Sequence, residues 1–132
     1  MLIALCDASS VELEGCRADL RKFSQAIKAC AEVCEMSLSA PADRDERGLL
    51  YLTRLLIKVT SGPVTVSVSE RDLSLSGARD KLGLLSENVE WLIDPNNASA
   101  KEQTRDHMHL EYYPDHFFLS ADALPMVLVR QD

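Results

Sequence analysis

The sequence predicts an α+β fold, a two-layer sandwich in which a mainly antiparallel sheet carries two helices on one face. Two segments, residues 11–27 and 73–89, align without gaps at an offset of 62. Each changes from an alternating apolar pattern to a helical one across a glycine, which indicates a strand leading into a helix. Short alternating runs follow each helix. Elements with one apolar face bury that face by stacking in layers.

The two aligned segments predict an internal repeat. VELEGCRADLRKFSQAI and LSLSGARDKLGLLSENV share five residues at equivalent positions, the pairs Leu13/Leu75, Gly15/Gly77, Arg17/Arg79, Leu20/Leu82 and Ser24/Ser86. A chain of 132 residues fits one domain. We therefore interpret residues 1–132 as a single domain built from two β-α-β-β units, at about 10–69 and 72–130.

Each unit begins with a short strand and a helix. Apolar residues alternate with glutamates before Gly15 and with serines before Gly77. The helices are predicted from apolar residues spaced by three and four positions, Leu20, Phe23, Ile27, Cys30 and Cys34 in the first and Leu82, Leu85, Val89 and Leu92 in the second. Each first turn holds an arginine, which is unfavourable at the positive end of a helix. We expect these arginines to reach carboxylates elsewhere.

The segments after the helices are predicted to supply the remaining strands. After the first helix come a polar loop at 39–48, a strand near Leu55–Thr60 and the alternating strand 64–69. After the second helix, Asp94-Pro95 ends the helical pattern and a charged loop follows. Strands are then predicted at His107–Tyr113 and Met126–Arg130.

Composition restricts the functional classes. The formal net charge of −7 disfavours binding to phosphate backbones, so no nucleic-acid partner is expected. No apolar run reaches the roughly 18 residues of a membrane span, and no membrane partner is expected. The N-terminus lacks the basic start of a secretory signal. We therefore expect a cytoplasmic protein whose cysteines, Cys6, Cys16, Cys30 and Cys34, are reduced and buried.

A histidine-rich stretch begins at residue 107, with three histidines, a glutamate and an aspartate within ten residues. In a strand, alternation places His107, His109, Glu111 and Tyr113 on one face and Met108, Leu110 and Tyr112 on the other. The second set fits the core, so the first set is expected on the uncovered face of the sheet. The predicted binding residues are His107, His109, Glu111, Tyr113 and His116, extended by Glu12 and Glu14.

Three alternatives stay open for this stretch. His107 and His109 lie roughly 6.6 Å apart along a strand and could chelate zinc with Glu111 or His116 as a third ligand, although the chain offers few further ligands. A small metal-dependent or general-base hydrolase would use the same residues and His116. The sequence has no nucleophile elbow, phosphate-binding glycine loop or H-E-x-x-H motif, so no catalytic residue, metal or cofactor is predicted. A homodimer formed through exposed strand edges is the third alternative.

Over residues 107–130 the chain resembles small bacterial immunity proteins of polymorphic toxin systems. The residues that carry the resemblance are His107, His109, Glu111, Tyr112, Tyr113, Pro114, His116, Leu119, Ser120 and Pro125. The family pattern has glycine where this chain has Asp115. The resemblance implies a non-enzymatic inhibitor that binds a toxin and blocks its active site. An acidic inhibitor would fit a basic toxin domain.

Overall fold

A computed structural model describes residues 1–94 and 107–132. The elements are β1 Ile3–Cys6, β2 Val11–Gly15, α1 Arg17–Ala29, β3 Val33–Ser37, β4 Leu50–Tyr51, β5 Arg54–Val59, β6 Thr65–Ser69, β7 Asp72–Gly77, α2 Arg79–Ile93, β8 His107–Leu110 and β9 Met126–Arg130. The α+β class is confirmed. Neither described helix is long and apolar enough to cross a membrane. The charged loop predicted after α2 lies outside the described residues.

The strands form two sheets, where a single sheet was expected. Sheet A has the order β4-β1-β2-β9-β8, and sheet B has the order β3-β5-β7-β6. Each sheet has one parallel pair at its centre, β2 with β9 and β5 with β7, and its other pairs are antiparallel. Alternation shows which side chains face the core but does not name the neighbouring strand. The division into two sheets was therefore hidden in the sequence.

The two sheets are paired in the same way. Strands β1-β2-β9-β8 of sheet A have their counterpart in strands β6-β7-β5-β3 of sheet B. In both sheets a hairpin precedes a helix, and the second strand of that hairpin pairs in parallel with the last strand of the other half of the chain. These pairs are β2 with β9 and β7 with β5. Strands β1 and β6 begin 62 residues apart, as do α1 and α2. The repeat stays a prediction, which this matched pairing supports. Strand β6, assigned from sequence to the first unit, pairs with β7 of the second.

The first helix is shorter than its predicted apolar stripe. Helix α1 ends at Ala29, Cys30 is its C-cap, and Cys34 lies on β3. In a short run, one buried residue four positions beyond another fits a helix and a following strand equally well. The antiparallel pairing of β3 with β5 decides between them. Both cysteines, like Cys6 and Cys16, are free thiols.

The two helices pack against each other around a buried pair of serines. Ser24 and Ser86 are fully buried, and their Oγ atoms lie 2.7 Å apart. Each hydroxyl can also donate to the main-chain carbonyl of the other serine, at 3.5 and 3.3 Å. Apolar residues of both helices and both sheets form one core around the pair. A buried hydroxyl needs a hydrogen-bond partner, so the pair favours one register of the helices.

Arg79 joins the start of α2 to the end of α1. Its guanidinium donates hydrogen bonds to the carbonyl oxygens of Lys28, Cys30 and Ala31. The prediction that Arg79 bonds to a carboxylate is therefore wrong. The last carbonyl groups of a helix have no partner within the helix and carry its negative end, so they attract a cation as a carboxylate would.

Removing one hydroxyl of the serine pair is expected to destabilise the fold. Ser86→Ala removes the 2.7 Å contact between the two hydroxyls, leaves Ser24 with the Ser86 carbonyl and Glu90 Oε1 as acceptors, and should lower the free energy of unfolding by about 1 kcal/mol. The double variant with Ser24→Ala should lose less than the sum, because each single variant already removes the same contact between the hydroxyls. Urea unfolding followed by circular dichroism measures both. Ser67→Ala on sheet B is the control, with a change within about 0.5 kcal/mol. Strictly additive losses would show that the two hydroxyls are not coupled.

Candidate functional site

Sheet A turns one face to the core and the other away from it. The face turned away, here named outer face A, consists of two cross-strand rows, Leu5–Glu12–Val127–His109 and Ile3–Glu14–Val129–His107. The residues between them along each strand belong to the core, among them Ala4, Leu13 and Leu128. Strand β9 lies between the glutamates and the histidines. The structure thus places the predicted residues Glu12, Glu14, His107 and His109 on one surface.

The two histidines of β8 lie side by side on this face. Their ring centroids are 5.3 Å apart, in an edge-to-face arrangement. Met108 packs against the core and Leu110 is buried, as the alternation predicts. The strand ends at Leu110, however, and the next three residues are exposed. Tyr112, expected in the core, is 41% exposed, because the pairing that imposes alternation stops at the Leu110–Met126 position.

The segment after β8 makes a turn with exposed aromatic side chains. Asp115 has a φ of 69°, in the left-handed region that glycine adopts most easily. Aspartate is among the few other residues that tolerate this region, so Asp115 can hold the turn without a glycine. Tyr113 is 54% exposed and Phe117 is 58% exposed. Their rings lie against His116, with centroids at 4.6 and 5.5 Å.

His116 holds this turn together. Its Nδ1 accepts hydrogen bonds from the main-chain N–H groups of Phe118 and Leu119, at 3.2 and 3.0 Å. Burial lowers the pKa of the imidazole. A neutral ring is required for Nδ1 to accept, so burial and hydrogen bonding favour the same state. The contact that the structure gives His116 is therefore to its own loop, which supports the exposed aromatic residues beside it.

The two glutamates of β2 form a coupled pair. Glu14 is hydrogen-bonded to Glu12, and this contact, with burial and the charge of Glu12, raises the pKa of Glu14 to about 7. The same hydrogen bond and the guanidinium of Arg47 lower the pKa of Glu12. Glu12 Oε2 lies 3.0 Å from Arg47 Nη2, and Glu14 Oε1 accepts from Gln131 Nε2 at 2.9 Å. The pair therefore holds a proton close to neutral pH.

The zinc and hydrolase alternatives gain no support from this geometry. Within residues 1–94 and 107–132, no three His, Cys, Asp or Glu side chains are placed to hold a metal ion. Glu111, the third ligand in the zinc alternative, lies beyond the end of β8. His116, the further histidine of the hydrolase alternative, points Nδ1 at its own loop.

The outer face of sheet B offers an internal comparison. Its rows are Thr65–Ser76–Lys58–Val33, Ser67–Ser74–Leu56–Glu35 and Ser69–Asp72–Arg54–Ser37, and the first two have the same pairing pattern as outer face A. Hydroxyl side chains occupy half of these positions. Outer face A instead has aliphatic side chains at its centre with glutamates and histidines beside them. An apolar centre with a polar surround is typical of a protein-binding surface.

Sequence analysis did not identify the aliphatic part of this face. Val127 and Val129 lie in MVLVR, where almost every residue is apolar, so no alternation marks the outward side. Only the pairing of β9 between β2 and β8 shows their direction. Ile3 was missed because β1 was not recognised as a strand. Arg47 lies in a loop that was expected to be solvated, but its guanidinium bonds to Glu12.

Replacing Asp115 tests the backbone of the turn. Asp115→Gly should leave the free energy of unfolding unchanged or raise it by up to about 1 kcal/mol, because glycine adopts positive φ without steric cost. Asp115→Val should lower it by about 1–2 kcal/mol. Asp122→Val, in a neighbouring exposed turn with ordinary φ, is the matched control for urea unfolding. Equal losses for the two valine variants would contradict the left-handed turn.

Replacing Glu14 tests the coupled carboxyl pair. Because folding raises the pKa of Glu14 from 4.5 to about 7, the folded protein binds more protons than the unfolded chain between these values. The stabilising effect of the proton is complete below pH 4.5 and is lost as the pH rises through 7. Glu14→Gln keeps the hydrogen bond at every pH and should be more stable than the native protein at pH 8.

The stability difference between Glu14→Gln and the native protein should shrink toward zero at pH 4.5. Unfolding in urea at a series of pH values measures this difference. Glu111→Gln, an exposed acid outside the pair, is the control. A difference that stays constant from pH 4.5 to 8 would show that the pair does not share a proton.

Comparison with known proteins adds one finding about this surface. Residues 72–131, a little under half of the chain, match the model of the family Immunity protein 32. No curated protein matches the chain. The matched segment runs from β7 to β9 and includes His107, His109, Val127, Val129 and the turn around Asp115. Over this segment the chain is similar to an immunity-protein family, and the resemblance predicted from the sequence is confirmed.

Proposed function

We propose that the protein is a non-enzymatic immunity protein that neutralises a toxin in the cytoplasm by binding it through outer face A. The observation that carries the proposal is the share of outer face A that lies in the segment matched by the family model. The segment similar to an immunity-protein family contributes both histidines and both valines of outer face A. The rest of that face comes from β1 and β2, outside the matched segment.

The composition of outer face A fits a protein partner. Val127 and Val129 lie half-buried at its centre, flanked by Glu12 and Glu14 on one side and by the histidines on the other. Apolar side chains that remain partly exposed at the centre of a sheet face gain free energy when a partner removes them from water. The flanking charges give direction and register to the contact.

The proposed interface also includes the aromatic turn that follows β8, whose Phe117 carbonyl accepts a hydrogen bond from Lys81 of α2. Four strands at spacings of about 4.8 Å span only about 14 Å, and a stable interface needs about 800 Å² on each partner. Tyr113 and Phe117 lie close to the end of β8 and are largely exposed. Aromatic side chains are enriched among the residues that contribute most binding energy. We therefore include the turn at 111–117 in the proposed interface.

Charge defines the kind of toxin. The protein has a net charge of −7, and Glu12, Glu14, Glu111 and Asp115 all lie on or next to the proposed interface. A basic toxin domain would be attracted over distances of about one Debye length, roughly 8 Å in physiological salt. Association should therefore be fast and should slow as salt is added.

One pair of matched variants tests the proposed surface. Val127→Arg puts a cation at the centre of outer face A, and Leu56→Arg puts one at the matching position of sheet B, between Ser74 and Glu35. The probe is the toxin domain that the adjacent upstream gene is expected to encode under this proposal. Val127→Arg should weaken binding at least about 30-fold, since central interface residues contribute about 2 kcal/mol or more. Leu56→Arg should change it less than about twofold.

The readouts are the dissociation constant, its dependence on salt, and protection of cells that express the toxin. Light scattering of the free protein determines whether outer face A pairs two copies of the chain instead. Equal effects of the two arginine variants, or a salt-independent on-rate, would show that the toxin does not bind this face.

A further inference from the structure

A cleft of about 300 Å³ opens at one edge of outer face A. Its apolar lining includes Leu5 and Val127 from the sheet and Leu49 from the loop before β4. The charged lining residues are Asp7, Glu12 and Arg47. Two acids and one base thus surround an apolar floor. This combination suits a ligand with an apolar stem and a cationic head, because the stem can cover the floor while the head reaches the carboxylates.

The acids around the cleft are held by main-chain N–H groups. Asp7 Oδ1 accepts from the N–H groups of Ser9 and Ser10, at 2.7 and 2.9 Å, and these contacts lower the pKa of Asp7. Asp45, just outside the cleft, accepts from the N–H groups of Arg47 and Leu49, both at 2.9 Å. Both carboxylates are therefore fixed by the protein before any ligand binds.

Arg47 occupies the position that such a cationic head would take. Its Nε donates to Asp45 Oδ2 at 2.9 Å, and its Nη2 donates to Glu12 Oε2 at 3.0 Å. The Asp45 side chain is 4% exposed, while the Glu12 side chain is 26% exposed and that of Arg47 is 51% exposed. The contact with Asp45 is the sheltered one and the contact with Glu12 is open to solvent. An incoming cation can therefore displace Arg47 from Glu12 and leave Arg47 bound to Asp45.

We propose that the cleft receives a lysine or arginine side chain of the toxin, and that Arg47 holds the place of this side chain at Glu12 until the toxin binds. The inference rests on the proposed function and names the feature of the toxin that outer face A recognises. An exposed ion pair such as Arg47–Glu12 stabilises a protein only slightly, so its exchange for an intermolecular pair has a low cost. In the free protein, Arg47 keeps Glu12 from remaining an uncompensated charge in a partly buried position.

Single-residue peptide probes test the cleft without the toxin. The probe is acetyl-Gly-Arg-Gly-amide, and the matched peptide has citrulline, which has the same shape without the charge. Titrations followed by two-dimensional NMR of the full chain give the dissociation constant and the residues affected. We expect the arginine peptide to shift the amide signals of Leu5, Leu49 and Val127. The citrulline peptide should shift them much less.

Removing the Arg47 side chain, which competes with the peptide for Glu12, should strengthen peptide binding. Arg47→Ala should bind the arginine peptide up to about fivefold more tightly than the native protein, from the range measured for exposed ion pairs. Arg47→Gln keeps most of the stem and guards against a loop that fails to fold. Arg21→Ala removes one positive charge from the exposed side of α1 and should stay within twofold. Equal affinities of the Arg47 and Arg21 variants, or shifts outside the cleft, would overturn the inference.

Toxin-binding measurements show whether a negative result contradicts the cleft inference or the proposed function. If Val127→Arg abolishes toxin binding and the peptide results are negative, the cleft inference is wrong and outer face A still binds the toxin. If the peptides bind as expected but Val127→Arg and Leu56→Arg bind the toxin equally well, the proposed function is wrong. The cleft then remains a binding site for cations.

Discussion

The parallel pairing of β2 with β9 is the contact on which both the core and the candidate site depend. It joins strands whose first paired residues, Val11 and Met126, are 115 positions apart. One side of the pair places Leu13 and Leu128 in the core, and the other side places the glutamates beside the valines of outer face A. Closing so long a loop is entropically unfavourable, and the apolar burial that follows must offset it. The surface therefore exists only in the fully folded chain.

The helices make this pairing possible because each one crosses between the sheets. Helix α1 leads from β2 in sheet A to β3 in sheet B, and α2 leads from β7 in sheet B to β8 in sheet A. The buried contact between Ser24 and Ser86 fixes how the helices cross, and Arg79 holds the end of α1 at the start of α2.

The sequence predicted the helices and strands better than it predicted which strands pair with each other. Strand β9 was predicted with its observed bounds, and the direction of His107 and His109 followed from alternation with Met108 and Leu110. Alternation fails where pairing ends, which is why Tyr112 was assigned to the core and lies exposed. The spacing of apolar residues also fails where a longer helix and a following strand would show the same spacing, as for Cys34. Contacts such as Arg47 with Glu12 join residues 35 positions apart in a loop and a strand, and no local pattern marks them.

Because side chains alternate along β8 and β9, the residues that pack in the core are different from the residues on the outer surface. Positions that face inward fill the core, while positions that face outward lie outside the core cluster of the described residues. Under the proposed function, substitutions at the outward positions can change which toxin is recognised at little cost in stability. A lineage exposed to a new toxin can then alter its specificity one outward residue at a time.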